Sequence, residues 1–204
     1  MKPLPILLTA RRGNWQRYKS RERNQRFLEI KKKILTRDHY TCRYCLFTSK
    51  KYNTVVNHDN DYSHNNAKNM VTACPFCAQC FFLDGIGSDN NTGGIIVHLP
   101  EVSQADLNHF CRVLFSSMLR DAPYKGKLQA TYLSLSDRAK PVEELFGPDS
   151  SNPVTFGQSL IDSNLSKQQL EGNVLKDLRL LPERQYFKEE ILYWKKTIFD
   201  QIPL

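Results

Sequence analysis

The sequence predicts an α+β fold in which a small cysteine-rich unit is joined to a basic N-terminal helical segment and to additional C-terminal helices. Two Cys-x-x-Cys pairs, Cys42–Cys45 and Cys74–Cys77, frame the central part of the chain. Positive charge is concentrated before the first pair. Apolar residues recur at helical spacing on both sides of the cysteine-rich part, which predicts helices there.

Composition indicates a folded protein without a membrane or export segment. The chain has 204 residues, of which 40% are hydrophobic and 11 are Phe, enough for a core. The apolar run 4–8 is interrupted by Pro5, is too short for a membrane span, and lacks the cleavage site of a secretory signal. We therefore expect a cytoplasmic protein with no direct membrane insertion. In that compartment the six cysteines favour metal binding over disulfides.

Charge is distributed unevenly along the chain. Residues 1–37 contain 12 Lys and Arg against 2 Glu, a net charge of +10, whereas the whole chain carries +8. A basic block beside a nearly neutral body indicates a polyanion or an acidic partner surface. The alternative is a solvated helix face, since Phe27, Ile30 and Ile34 recur at helical spacing and need a core to pack on. Charge alone does not imply sequence-specific DNA reading. Nucleic acid is a possible partner but not the favoured one.

The first 37 residues are predicted to form an arm followed by a helix. Residues 1–12 are expected to be extended, and a basic helical stretch then runs to about Arg37, with Trp15 and Tyr18 as anchors.

Residues 38–120 are predicted to form the zinc-binding unit with a following strand and helix. The turn-forming stretch 84–94 predicts a loop, and 95–97 predicts a short buried strand that ends before Pro100. A helix is predicted over 103–119, with a capping signal at its start. Its apolar face comprises Leu107, Phe110, Leu114 and Met118.

The second half of the chain is less regular in its pattern. Residues 121–165 are predicted to be irregular; within them, 127–135 fits a strand or a helix, and 139–153, with three prolines, fits a surface loop.

The last segment, 166–204, is predicted to form helices that pack on the core, giving one compact domain overall. One helix is expected over 166–181 and the other over 183–201. The second carries an apolar stripe formed by Phe187, Ile191, Trp194 and Ile198.

The two cysteine pairs predict one structural Zn²⁺ bound by Cys42, Cys45, Cys74 and Cys77. Each pair wraps the ion from one side, and two pairs complete a tetrahedron. The alternatives are four buried thiols or a redox motif. Cys80 is the alternative fourth ligand, although the spacing favours Cys77.

The order of residues between the pairs resembles the zinc-containing HNH nuclease superfamily. Val56-Asn57-His58, Asn69-Met70-Val71 and the second cysteine pair carry the resemblance. It implies a ββα-metal unit of the treble-clef type, in which His58 matches the general base and Asn69 the residue that orders the loop. Asn57 and Ala78 stand where the catalytic metal ligands belong, and neither side chain is a good ligand.

These two departures imply that the chain is not an enzyme. A divalent ion would normally stabilise charge on the phosphate, and His58 alone cannot replace it. No catalytic residue is therefore assigned, and His58 is a vestigial general-base position. Replacement metal ligands would have to come from Asp59, Asp61 or His64.

A closer resemblance is to the IcmJ (DotN) family of Dot/Icm type IVB secretion systems. It rests on the run from Arg37 to Cys45, on Val55-Val56-Asn57, and on the run from Asn69 to Leu83, which includes Cys77-Ala78-Gln79-Cys80. The resemblance implies a zinc-binding scaffold in the coupling complex at the cytosolic face of the bacterial inner membrane. Implied partners are the C-terminal tail of the coupling ATPase DotL and the acidic adaptors IcmS and IcmW. A metal-dependent HNH endonuclease or a nucleic-acid-binding protein is the alternative.

Overall fold

The fold is a mixture of helices and two small sheets. The computed structural model describes residues 2–88, 92–120, 123–163 and 174–201. The helices in these ranges are α1 (Asn14–Arg21), α2 (Gln25–Arg37), α3 (Pro75–Ala78), α4 (Gln104–Met118), α5 (Lys125–Ser136), α6 (Lys140–Phe146), α7 (Pro153–Ser163) and α8 (Lys188–Thr197). The strands are β1 (Thr54–Asn57), β2 (Met70–Ala73), β3 (Gly94–His98) and β4 (Leu178–Pro182). None of the described helices has both the length and the apolar character needed to cross a membrane.

Two antiparallel pairs of strands organise the chain. β1 pairs with β2 so that Thr54 faces Ala73, and both strands are buried along their whole length. β3 pairs with β4 with Ile96 opposite Leu180, which joins distant parts of the chain. Because β4 comes late in the sequence, this second pair brings the C-terminal helix α8 onto α4 and the cysteine-rich part.

The N-terminal segment is an extended arm followed by two helices. The arm is tied to the cysteine-rich part by backbone hydrogen bonds, from Leu4 N to Arg43 O (2.8 Å) and from Thr9 N to Cys80 O (2.9 Å). The predicted anchors are confirmed, since the rings of Trp15 and Tyr18 lie 5.6 and 4.6 Å from the ring of Phe82. The predicted basic helix is divided in two, because Asn24 caps the start of α2 by accepting a hydrogen bond from Phe27 N.

Asp38, just after α2, fastens that helix to β2. One carboxylate oxygen accepts from Arg37 Nε (2.8 Å), and the other accepts from Thr72 N (2.9 Å). Burial by itself raises the pKa of Asp38, but the hydrogen bonds from Arg37 and Thr72 outweigh it and hold the pKa below its usual value. The carboxylate therefore stays charged and bonded at neutral pH.

Asp38→Asn is expected to lower the free energy of unfolding by about 1.5–3 kcal/mol, because the amide loses charge-assisted hydrogen bonds. Because the pKa of Asp38 is lower in the folded state than in the unfolded state, its charged form stabilises the fold at any pH above the unfolded-state pKa. This stabilisation is lost only when the pH falls through the folded-state pKa. The wild-type carboxylate is thus charged from pH 6 to 8, and the difference between the proteins should be constant there in urea unfolding. Asp137→Asn, at an exposed i,i+3 pair with Lys140, is the control and should change little. A difference that vanishes toward pH 6 would contradict the assignment.

The main core of the described structure is formed by the cysteine-rich part together with the inner faces of α4 and α8. The α8 stripe is confirmed for Phe187, Ile191 and Trp194, which are fully or almost fully buried. The start of α4 is confirmed too, since Ser103 Oγ accepts a hydrogen bond from Asp106 N. The assignment of Phe110 to the apolar face of this helix was wrong, since Phe110 is 43% exposed.

The prediction of an irregular segment over 121–165 is wrong for the described residues. The stretch 127–135 lies in α5, and the predicted loop 139–153 contains α6. Its three prolines favour a loop, but Pro141 lies in the first turn of α6 and Pro153 is the first residue of α7. Proline is well tolerated there, because the first amides of a helix have no intrahelical acceptor.

The prediction of a helix over 166–181 is wrong at its end. Residues 164–173 lie outside the described residues, while 178–182 form β4. Pairing with β3 buries Leu180 and Leu181 on opposite faces of the strand, and this tertiary contact overrides helical periodicity. The last helix begins at Lys188 instead of 183, after a short 3₁₀ turn.

Candidate metal centre

The first cysteine pair lies in a tight turn before β1. Cys42 N donates to Phe47 O (2.9 Å), and Leu46 N donates back to Cys42 O (2.9 Å). Leu46 has a φ of 61°, so the chain reverses through the left-handed region. The turn places Cys42 and Cys45 on the same side.

The second pair lies where β2 passes into α3. Cys74 is the N-cap residue of α3, Pro75 follows at its first position, and Ala78 N donates to Cys74 O (2.9 Å). A backbone bond from Arg43 N to Thr72 O (2.8 Å) holds the two turns side by side.

These elements bring the four predicted cysteines together. The Sγ atoms of Cys42, Cys45, Cys74 and Cys77 all lie within 4.8 Å of one another, and all four residues are buried. The Sγ atoms of Cys45 and Cys74 are 3.7 Å apart. That distance is far too long for a disulfide. It matches the edge of a tetrahedron with Zn–S bonds of about 2.3 Å, which is about 3.8 Å long.

The other two cysteines lie outside this cluster. Cys80 packs among the apolar residues around Leu83 and Ile96, and its thiol donates to Phe76 O. Burial raises the pKa of Cys80 above its usual value and that of Cys111 to about 12, so both are inert core thiols. The geometry therefore does not support Cys80 as the alternative ligand.

A line of buried polar residues on α4 lies against the cysteine cluster and donates hydrogen bonds to three of its four sulfurs. Asn108 Nδ2 donates to Cys77 Sγ (3.2 Å), and Arg112 Nη2 donates to Cys74 Sγ (2.7 Å) and Cys45 Sγ (3.4 Å). One turn earlier, Gln104 bonds both Asn108 and the backbone of β4. Such bonds orient the sulfurs from outside the ligand set.

Sequence reasoning missed this line, although a signal was present. Gln104, Asn108 and Arg112 recur every four residues, on the same side of the helix as Cys111. A polar stripe within an apolar face needs buried partners, because an unpaired polar group in a core is costly.

Arg112 gives the centre its electrostatic character. The residue is completely buried, and its guanidinium lies 4.1 Å from the ring centre of Phe47. No carboxylate of a described residue pairs with it; its partners are Cys45, Cys74 and His109. Burial by itself lowers the pKa of Arg112, but negative charge on Cys74 and Cys45 raises it above its usual value. A buried cation of this kind requires an anionic neighbour, and a set of four thiolates around a divalent ion is one.

Asn57 stands at the first position expected for a catalytic metal ligand, and both polar atoms of its side chain are hydrogen-bonded within the protein. Asn57 Oδ1 accepts from Arg21 Nη1 at 2.6 Å, and its Nδ2 donates to Asp61 O and His64 O. Arg21 comes from α1 and is only 8% exposed. A protein guanidinium therefore contacts the oxygen through which Asn57 would bind a metal.

The remaining residues of the HNH resemblance form a surface loop. His58 is exposed, and its backbone N donates to Asn69 O (2.7 Å). Asn69 Oδ1 accepts from Asp59 N, and Asn69 Nδ2 donates to Asp59 Oδ1. The other carboxylate oxygen of Asp59 pairs with His64 Nδ1 at 2.9 Å.

The second position expected for a catalytic metal ligand is occupied by Ala78, which is buried in α3 and has only a methyl side chain. In the part of the chain that the structure describes, the cysteine cluster is the sole group of three or more His, Cys, Asp or Glu residues placed to hold a metal. Asp59, Asp61 and His64 are therefore not arranged as replacement ligands.

Comparison with known proteins places the chain in a family. No protein-family model matches it. The chain is 41% identical over 197 residues to the type 4 apparatus protein DotN of Legionella pneumophila, a match that covers 97% of this chain and 92% of that protein. Because the identity is this high over nearly the full length of both chains, the chain belongs to the DotN (IcmJ) family of type IV secretion apparatus proteins.

Proposed function

We propose that this protein is a non-catalytic zinc-binding scaffold of a bacterial type IVB (Dot/Icm) coupling complex. The relationship to the type 4 apparatus protein DotN carries this proposal. In it, the protein binds the C-terminal tail of a DotL-type coupling ATPase and acts with acidic adaptors of the IcmS and IcmW type. Together they recruit effector proteins at the cytosolic face of the inner membrane.

The strand pair β1–β2 followed by α3 supports an HNH-like ββα origin for the scaffold, with the cysteine pairs at either side. Two features support the loss of catalysis. Asn57 is bonded to the guanidinium of Arg21, and Ala78 offers no ligand atom. Without a charged metal at the phosphate, the largest electrostatic contribution to hydrolysis is missing.

Zn²⁺ is the proposed ion at Cys42, Cys45, Cys74 and Cys77, because it prefers four thiolates in a tetrahedron. Its role is structural: all four ligand positions are taken by protein, so none is open for water or substrate. When bound, it supplies the positive charge that four buried thiolates need.

The test is an affinity pull-down of the tagged full-length protein from its native organism, with metal analysis of the purified material. We expect about one zinc per chain and co-purification of a coupling ATPase. Recovery without an ATPase or an acidic adaptor would overturn the proposed partners, and a zinc-free protein would overturn the proposed cofactor.

The alternative is a nucleic acid enzyme or binding protein, which the exposed basic residues of α1 and α2 favour. A nuclease would nick plasmid DNA with Mg²⁺, Mn²⁺ or Ni²⁺ and lose this activity in His58→Ala. A binding protein would show DNA affinity that falls steeply with salt, because phosphate contacts release counterions. We expect neither result.

A further inference from the structure

A groove lies between α1, α2 and the loop that joins β1 to β2. Its volume is about 600 Å³, and no described residue that lines it is acidic. Phe27, Ile30, Tyr62 and Met70 form an apolar floor, in which all but Ile30 are buried. Arg17 and Arg26 stand at its rim and are exposed.

The wall of this groove contains the buried guanidinium of Arg21, which forms no ion pair with a described residue. The Arg21 guanidinium is stacked between Phe27 and Tyr62, with ring centres at 4.5 and 4.6 Å. Its hydrogen bonds go to neutral oxygens of Asn57, Asn65 and Val55, and its Nε has no partner. Burial is the main cause that lowers the pKa of Arg21. The attraction of an anion in the groove would offset part of the cost of this burial.

The rim adds charge that is free to meet a partner. Arg17 and Arg26 form no ion pair with a described residue, and the nearby Glu22 is paired with Lys31. The groove therefore carries two exposed guanidinium groups at its rim and a third, that of Arg21, buried in its wall.

We propose that this groove binds an acidic segment of a partner polypeptide, with an aliphatic side chain on the floor and carboxylates at Arg17 and Arg26. The proposal rests on the proposed function and gives the acidic partner a site. Charge complementarity selects an acidic ligand, and Arg is well suited to bidentate carboxylate binding. A single nucleic acid strand fits less well, because it binds by stacking bases on open aromatic faces. Here Arg21 covers the faces of Phe27 and Tyr62.

The test measures fluorescence anisotropy of a labelled peptide rich in Glu and Leu, titrated with the full-length protein. The double variant Arg17→Glu, Arg26→Glu is compared with Lys32→Glu, Lys33→Glu on the exposed face of α2 outside the groove. Both change the net charge equally. We expect the groove variant to weaken binding about tenfold or more and the control about twofold or less. A peptide with Gln in place of Glu should bind much more weakly.

Three results would overturn the inference: equal weakening by both double variants, undiminished binding of the Gln peptide, or stronger groove-dependent binding of a single-stranded oligonucleotide. The proposed function is judged separately by the pull-down. If wild type and groove variant capture the coupling ATPase equally, the groove is not its docking site while the proposed function stands. If neither captures it while the peptide still binds in the groove, the proposed function fails alone.

Discussion

Cys74→Ser is expected to abolish zinc binding and to unfold the unit between residues 38 and 83. Cys74 is completely buried, and its sulfur lies 3.7 Å from that of Cys45 and accepts a hydrogen bond from Arg112. Serine stays protonated and is a poor zinc ligand. In zinc-finger peptides a structural zinc contributes about 10–16 kcal/mol at neutral pH, and this binding energy is folding energy. The loss should therefore exceed the stability of the small unit.

The measurement is zinc content by atomic emission together with a thermal melt followed by circular dichroism. Cys80→Ala and Cys111→Ala are matched controls, because each removes a buried thiol outside the cluster. Both controls should keep the zinc and melt within a few degrees of wild type, as expected for a small buried deletion of about 1 kcal/mol. Full zinc content and an unchanged melt in Cys74→Ser would contradict the four-thiolate assignment. A large effect of Cys80→Ala would transfer the fourth ligand to Cys80.

The parts of the fold that could be predicted are those encoded by neighbouring residues. Cys-x-x-Cys spacing is a local property of a turn, so the cysteines could be selected before any tertiary contact was known. Ser103 and Asp106 form a capping pair three residues apart, and the buried positions of α8 recur with the helical period. Such signals need no knowledge of the rest of the chain.

The parts that failed depend on distant residues. β4 forms because Leu180 and Leu181 pair with Ile96 and Ile95 of β3, which lies more than 80 positions earlier in the chain. A separate failure concerns Pro141 and Pro153, which lie in the first turns of α6 and α7: a proline by itself does not show whether it lies in a first turn, where it is tolerated, or in a loop. Exposure of Phe110 follows from the rotation of α4, which turns Arg112 toward the sulfurs.

Two arginine side chains, those of Arg21 and Arg112, are buried beside the candidate metal centre and the Asn57 position. Arg21 bonds Asn57, where the resemblance to nucleases would place a metal ligand. Arg112 bonds two sulfurs of the cysteine cluster. Each comes from a helix far from its partner in sequence, so neither could be assigned from a motif.

Arg112→Met is expected to destabilise the zinc-loaded protein by roughly 3–5 kcal/mol and to speed the transfer of zinc to a chelator. A zinc ion with four thiolates carries a net negative charge, and removing the buried guanidinium leaves that charge uncompensated. Methionine retains an apolar side chain against Phe47, Phe76 and Trp194, so the loss of charge dominates the effect. The measurements are urea unfolding and zinc release to a colorimetric chelator.

Two further variants separate charge from shape at this position. Arg112→Lys keeps the charge but cannot present the planar fork that reaches both Cys45 and Cys74, so an intermediate stability and release rate are expected. Arg138→Met removes a half-buried arginine that pairs with Glu101 and donates to His98 O, and it should cost at most about 1.5 kcal/mol. If Arg112→Met released zinc as slowly as wild type, Arg112 would be a packing residue and the buried charge balance proposed for the centre would be wrong. If Arg112→Lys behaved like Arg112→Met, the planar geometry of the guanidinium, and not its charge, would be what holds the sulfurs.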